Sequence, residues 1–228
     1  MDYYIISYGI TLIALIITLG AQGYVNSSYN KYKRVNNNRG ITGAQAARRV
    51  LDKNGLNEVK IEEVVGFLTD HYDPTNKVIR LSTDIYNGSS VAGVAVACHE
   101  CGHAIQDKDG YLMLKVRHAL VPFINISSFA GYIAIAIGVF FSFINLVYLG
   151  ILCECVILLF QLVTLPVEFD ASKRALQQIE EEAILEGSEF KGGKKVLTAA
   201  ALTYVASVAS TLLEILRLIL LFTRRRDD

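Results

Sequence analysis

Charge of neither sign dominates this chain. Lys and Arg together number 22, as do Asp and Glu, so the formal net charge is zero. That balance gives no electrostatic grip on a phosphate backbone, and nucleic acid is not an expected partner. Cysteine is sparse. The four thiols, Cys98, Cys101, Cys153 and Cys155, stand in two close pairs, and a reduced cytosolic state suits all of them. Histidine is equally sparse, at four residues. Internal repeats and low-complexity tracts are lacking. The opening Met-Asp-Tyr-Tyr has no positive charge, and the apolar run behind it exceeds a normal signal-peptide core. A retained anchor is therefore expected there.

What the chain has in abundance is apolar surface. Hydrophobic residues make up 52% of it, above the roughly 45–50% usual for soluble domains. They come in blocks. Residues 3–25, 119–141 and 146–165 are nearly uncharged and long enough to cross a bilayer. A fourth block, 196–222, is long but carries Glu214 and Arg217. The expected fold class is a mainly α integral membrane protein with three to four transmembrane helices and a small α+β cytoplasmic zincin-like unit. Basic residues flank the blocks: Lys31, Lys33, Arg34 and Arg39 after the first, Lys115 and Arg117 before the second, and Lys173, Arg174, Lys191, Lys194 and Lys195 after the third. Such residues are retained on the cytoplasmic side. The pattern predicts a multi-pass plasma-membrane protein with an external amino terminus and a cytoplasm-facing active site. Arg224, Arg225 and Arg226 break it, because a spanning fourth block would place them outside. Either that block folds back along the membrane surface or the charge bias is overridden.

The expected organisation follows. Residues 1–25 are an anchor and 26–118 a cytoplasmic α+β unit. Residues 119–166 are a helix pair in the membrane, 167–195 a cytoplasmic helix, and 196–228 a hydrophobic helix with a basic tail. Within the α+β unit, residues 42–54 read as an amphipathic helix with Thr42 as cap and Gly55 as stop. Residues 57–65 and 77–82 read as strands, with a turn cluster at 70–76 between them. Pro166 is expected to kink the chain where it leaves the bilayer. Residues 168–186 read as helix and 187–193 as loop.

The chemistry lies at residues 99–103, His-Glu-Cys-Gly-His, an H-E-x-x-H motif. On a helix, residues four apart share a face, so His99 and His103 can bind one zinc ion. Glu100 is displaced by one residue and projects beside the metal, placed to take a proton from an attacking water. Small and apolar residues from Ser89 or Ser90 onward support a helix, and Asp109-Gly110 supplies a stop. Each helical residue turns by about 100°, so Cys101 points away from the histidines and Cys98 lies off their face. Both read as small apolar fillers.

Catalytic zinc usually has three protein ligands. His118 sits about four helical turns beyond His103, too far along a continuing helix. A carboxylate is expected instead. Glu168, just past the third apolar block, is the first candidate. Glu154, roughly 20 Å further into that helix, is its rival. His71, Asp73 and Arg174 are candidate contacts to a substrate or a developing oxyanion.

The phrases L-T-D-H-Y-D-P, H-E-C-G-H-A-I-Q and V-T-L-P-V-E-F-D-A-S together resemble the YugP-type membrane zinc metallopeptidases. The layout is more distantly similar to membrane heat-shock proteases and CaaX prenyl proteases. The resemblance implies zinc held by His99, His103 and Glu168, with Glu100 as base. It also implies that the strand K-V-I-R-L-S pairs with an extended substrate. The distant relatives carry an aspartate four residues after the ligand glutamate, where this chain has Ser172. The expected function is zinc-dependent endopeptidase activity on membrane or membrane-proximal polypeptides. The expected partners are that substrate, the lipid bilayer and a regulatory membrane protein. A non-catalytic, zinc-stabilised scaffold or chaperone-like binder is the alternative. It has no use for an acid between the two histidines.

Overall fold

The structure is a computed structural model in which residues 2–66 and 69–223 are described. The basic tail Arg224–Arg226 and Leu68 of the first resemblance phrase lie outside them. The elements in order are α1 (Asp2–Lys33), α2 (Gly43–Lys53), β1 (Lys60–Val64), β2 (His71–Asp73), β3 (Val78–Ser82), α3 (Thr83–Asn87), α4 (Val91–Lys108), α5 (Leu112–Phe140), α6 (Ile144–Glu181) and α7 (Gly187–Thr223). Four of these helices, α1, α5, α6 and α7, are long and apolar enough to cross a membrane.

The chain divides into two compact units. The first comprises Met1–Gln22, Lys115–Leu165 and Thr203–Asp228. Val147, Leu218 and Phe222 are buried together there, with Ile135, Ile144 and Ile151 packed around them. A hydroxyl–hydroxyl bond of 2.9 Å joins Thr18 of α1 to Ser210 of α7. Leu12, Phe129, Phe140 and Leu152 are each more than half exposed. Apolar side chains presented on this scale mark a surface that meets something other than water.

The second unit comprises Gly23–Leu114 and Pro166–Leu202. Its sheet has the order β1-β3-β2. β1 runs parallel to β3 with Lys60 opposite Val78, and β2 runs antiparallel with Tyr72 opposite Ile79. Thr42 caps α2 in a capping box: its hydroxyl accepts the Gln45 N–H, and the Gln45 side chain accepts the Thr42 N–H. The apolar stripe of α2 (Ala46, Ala47, Val50, Leu51) packs with Ala97, Cys98, Cys101 and Ala104 of α4 and with Ile79 and Leu81 of β3. Cys98 and Cys101 are fully buried. Burial pushes the Cys98 thiol up to about 12.

Four sequence expectations are corrected. The turn cluster contains a strand, His71–Asp73, too short for its alternation to show against the turn residues that follow. β3 is not an open edge, because it has β1 on one side and β2 on the other, and Asp70 takes the Ser82 N–H. The extended-substrate expectation for that strand therefore fails. Helix α6 continues through Pro166 to Glu181, short of the expected end at 186. The expected loop at 187–193 is the start of α7. Gly192 there is a packing position, since a Cβ on it would lie 2.6 Å from the Tyr32 ring.

Candidate metal centre

Helix α4 is built to hold its motif rigidly. The Ser90 hydroxyl accepts the Gly93 N–H at its start, and Gly110 leaves it in the left-handed region at φ +66°. His99 and His103 lie one above the other, with ring centroids 4.8 Å apart. The residue between them and α6 is Gly102, where a Cβ would sit 2.4 Å from the Ala171 carbonyl oxygen. Only a glycine lets the two backbones approach this closely. One turn before Ala171, Glu168 faces the histidines.

The Glu168 Oε2 lies 3.3 Å from the His99 Nε2 and 3.8 Å from the His103 Nε2. The three residues offer one donor atom each within 4.8 Å of one another, a group that could hold a metal ion. Two imidazole nitrogens and one carboxylate oxygen suit zinc. Glu168 is only 3% exposed. A buried carboxylate needs positive charge nearby, and a divalent cation among these donors would supply it. The rival Glu154 does not belong to this group.

Both histidines are held from behind. The Ser172 hydroxyl lies 3.1 Å from the His99 Nδ1, and the Gln106 Oε1 lies 3.0 Å from the His103 Nδ1. Asp170 accepts from the Gln106 amide. Glu100 is buried and accepts the Tyr72 backbone N–H at 3.0 Å. Burial pushes its carboxyl above the usual carboxylate range. His99 opposes that shift, while Glu168 and Asp70 add to it.

The other candidates are engaged elsewhere. Asp73 closes the turn after β2, accepting the Thr75 and Asn76 N–H groups, and pairs with Arg80 at 2.9 Å. Asn76 first, then Arg80, holds its carboxyl well below the usual range. The His71 ring meets the Thr69 carbonyl and Arg80. Arg174 pairs with Asp170 at 2.6 Å and Asp109 at 2.5 Å. Sequence reasoning missed Tyr72, Gln106 and the contact made by Ser172. Gln106 had a signal, since a residue three after His103 shares its helical face. Tyr72 had none, because it acts through its backbone.

Over residues 7–223 the chain matches the family described as "Putative neutral zinc metallopeptidase". It belongs to that family. A Bacillus subtilis (strain 168) protein, "Putative membrane protease YugP", is 45% identical over 219 residues, covering 96% of this chain and 97% of the relative. No solved structure matches. The family's description names zinc, and the three gathered donors could hold a metal ion. The relative's name agrees with four membrane-length helices.

Proposed function

We propose that this protein is a membrane-embedded zinc endopeptidase acting on membrane or membrane-proximal polypeptides. The observation that carries the reading is the convergence of His99, His103 and Glu168 to within 4.8 Å beside a buried acid that is not one of the three. These three residues would hold zinc. When bound, zinc supplies Lewis acidity, polarising the scissile carbonyl and acidifying the attacking water. Glu100 accepts the proton of that water and passes it to the leaving amine. The Tyr72 N–H fixes its carboxylate. Ser172 and Gln106 orient the imidazoles.

Four apolar helices and a relative named as a membrane protease support a multi-pass protein. The flanking basic residues favour a cytoplasmic site in the plasma membrane. Glu168 follows the apolar run 146–165 by three residues, which favours substrates at the bilayer. Asp73 and Arg174 serve as structural ion pairs in this reading, and His71 braces the hairpin.

The test is paired: zinc content, and cleavage of a membrane-anchored reporter. The parent is expected to hold about one zinc per chain. His99→Ala with His103→Ala should abolish it. Glu100→Gln should keep the zinc and lose about 10²–10⁴-fold in cleavage, the contribution of a positioned general base. If Glu100→Gln cleaves like the parent, the hydrolase reading fails and the zinc-stabilised scaffold replaces it.

A further inference from the structure

Gln106 is completely buried, and each of its amide groups has a partner. The Nε2 donates to the Val167 carbonyl at 2.7 Å and to the Asp170 Oδ2 at 2.9 Å. The Oε1 faces the His103 Nδ1 at 3.0 Å. An amide has two N–H donors and one oxygen, and both of its donors are committed to acceptors that cannot donate back. Asp170 is held as an acceptor by the Arg174 Nε–H at 2.6 Å. Flipping the amide would set its oxygen against a carbonyl and a carboxylate. The oxygen must therefore face the ring, and the ring nitrogen it faces must carry the hydrogen. The His103 Nε2, 3.8 Å from the Glu168 Oε2, is then the ring atom left for a metal.

We propose that Gln106 is a positioning residue that fixes the tautomer and orientation of His103, through a relay running Arg174–Asp170–Gln106–His103. The inference rests on the reading of His103 as a zinc ligand. Zinc-bearing histidines commonly give their second N–H straight to a carboxylate or carbonyl. Here the carboxylate stands one residue back, and a neutral amide makes the contact. Arg174 also pairs with Asp109, the residue that caps α4, so the relay is anchored on both helices. The Ser172 contact to His99 lacks this property, since a hydroxyl can donate or accept.

The experiment uses the full chain in detergent. It reads zinc affinity by chelator competition and, separately, the melting temperature of the zinc-free protein. Gln106→Leu keeps the volume and removes the acceptor. Zinc affinity should fall about 10–100-fold, as for other residues that orient a metal ligand. Gln106→Glu restores an acceptor for His103 but opposes Asp170 with a second carboxylate, so it should also bind weakly. Adding Asp170→Asn turns that clash into an N–H donor while keeping an oxygen for Arg174. The double variant should recover part of the affinity lost by Gln106→Glu, since a carboxylate oxygen still faces the Val167 carbonyl. A folded Gln106→Leu that binds zinc like the parent overturns the relay. So does a double variant no better than Gln106→Glu, which decides the matter if Gln106→Leu does not fold. A parent that takes up no zinc overturns the metal reading itself, so the two failures are told apart.

Discussion

Two buried glutamates stand beside the same pair of histidines, and their surroundings differ. Glu168 points its Oε2 at both imidazole Nε2 atoms. Glu100 is tethered by a backbone N–H from β2. Replacing Glu168 by Gln should weaken zinc binding as well as cleavage, because a carboxamide is a poor substitute for an anionic ligand. Glu100→Gln should spare the metal. Equal zinc retention in both variants would remove Glu168 from the ligand set. Tyr72 offers a third residue-level test. Its hydroxyl donates to Asp107 at 2.8 Å, while its N–H serves Glu100. Tyr72→Phe deletes the first contact and leaves the second. Stability should drop by about 0.5–1.5 kcal/mol in chemical denaturation, with zinc content unchanged.

Between elements, the decisive contact is α4 against α6 at Gly102. Helix propensity alone predicts that Gly102→Ala stabilises the protein by about 1 kcal/mol. Packing predicts the reverse, since the new Cβ would meet the Ala171 oxygen at 2.4 Å and the backbones must separate. The contact wins, because a backbone oxygen inside a helix has nowhere to go. Gly102→Ala should lower both the melting temperature and zinc affinity, as Glu168 moves away from the histidines. A variant that melts higher and keeps its zinc would contradict the packing argument. This contact also shows what the sequence concealed. The H-E-x-x-H helix, the cap Thr42 and a cap at Ser89 or Ser90 were legible because their logic is local, set by spacing and side-chain type, and Ser90 is the cap. Glu168 emerged as a candidate from its place after an apolar run. β2 was hidden because three residues carry no period. The start of α7 was hidden because glycine signals both a loop and close packing, and only the Tyr32 ring against Gly192 decides between them. The Ser172 contact to His99 depends on how α4 meets α6, which no local pattern records.

At the scale of the molecule, the prediction concerns sidedness. Basic residues around the apolar blocks favour a cytoplasmic position for residues 26–117. A cysteine reporter tests it. Asn37 is unsuitable because it is buried and its amide bonds the Ile41 and Ser89 carbonyls. The neighbouring Asn38 is exposed. Asn38→Cys, in a chain with Cys153 and Cys155 replaced, should resist a membrane-impermeant maleimide on intact cells and react after permeabilisation. Cys98 and Cys101 are fully buried and should give little background. Ready labelling of intact cells would reverse the orientation.

The donor set is split along the chain: His99 and His103 precede α5, and Glu168 follows both α5 and the apolar part of α6. During synthesis the two imidazoles leave the ribosome first, and the third donor emerges only after two membrane-length runs have passed through. A copy truncated anywhere in those runs carries two of the three donors. In the proposed reading, hydrolytic competence is thus deferred until both apolar runs have been made.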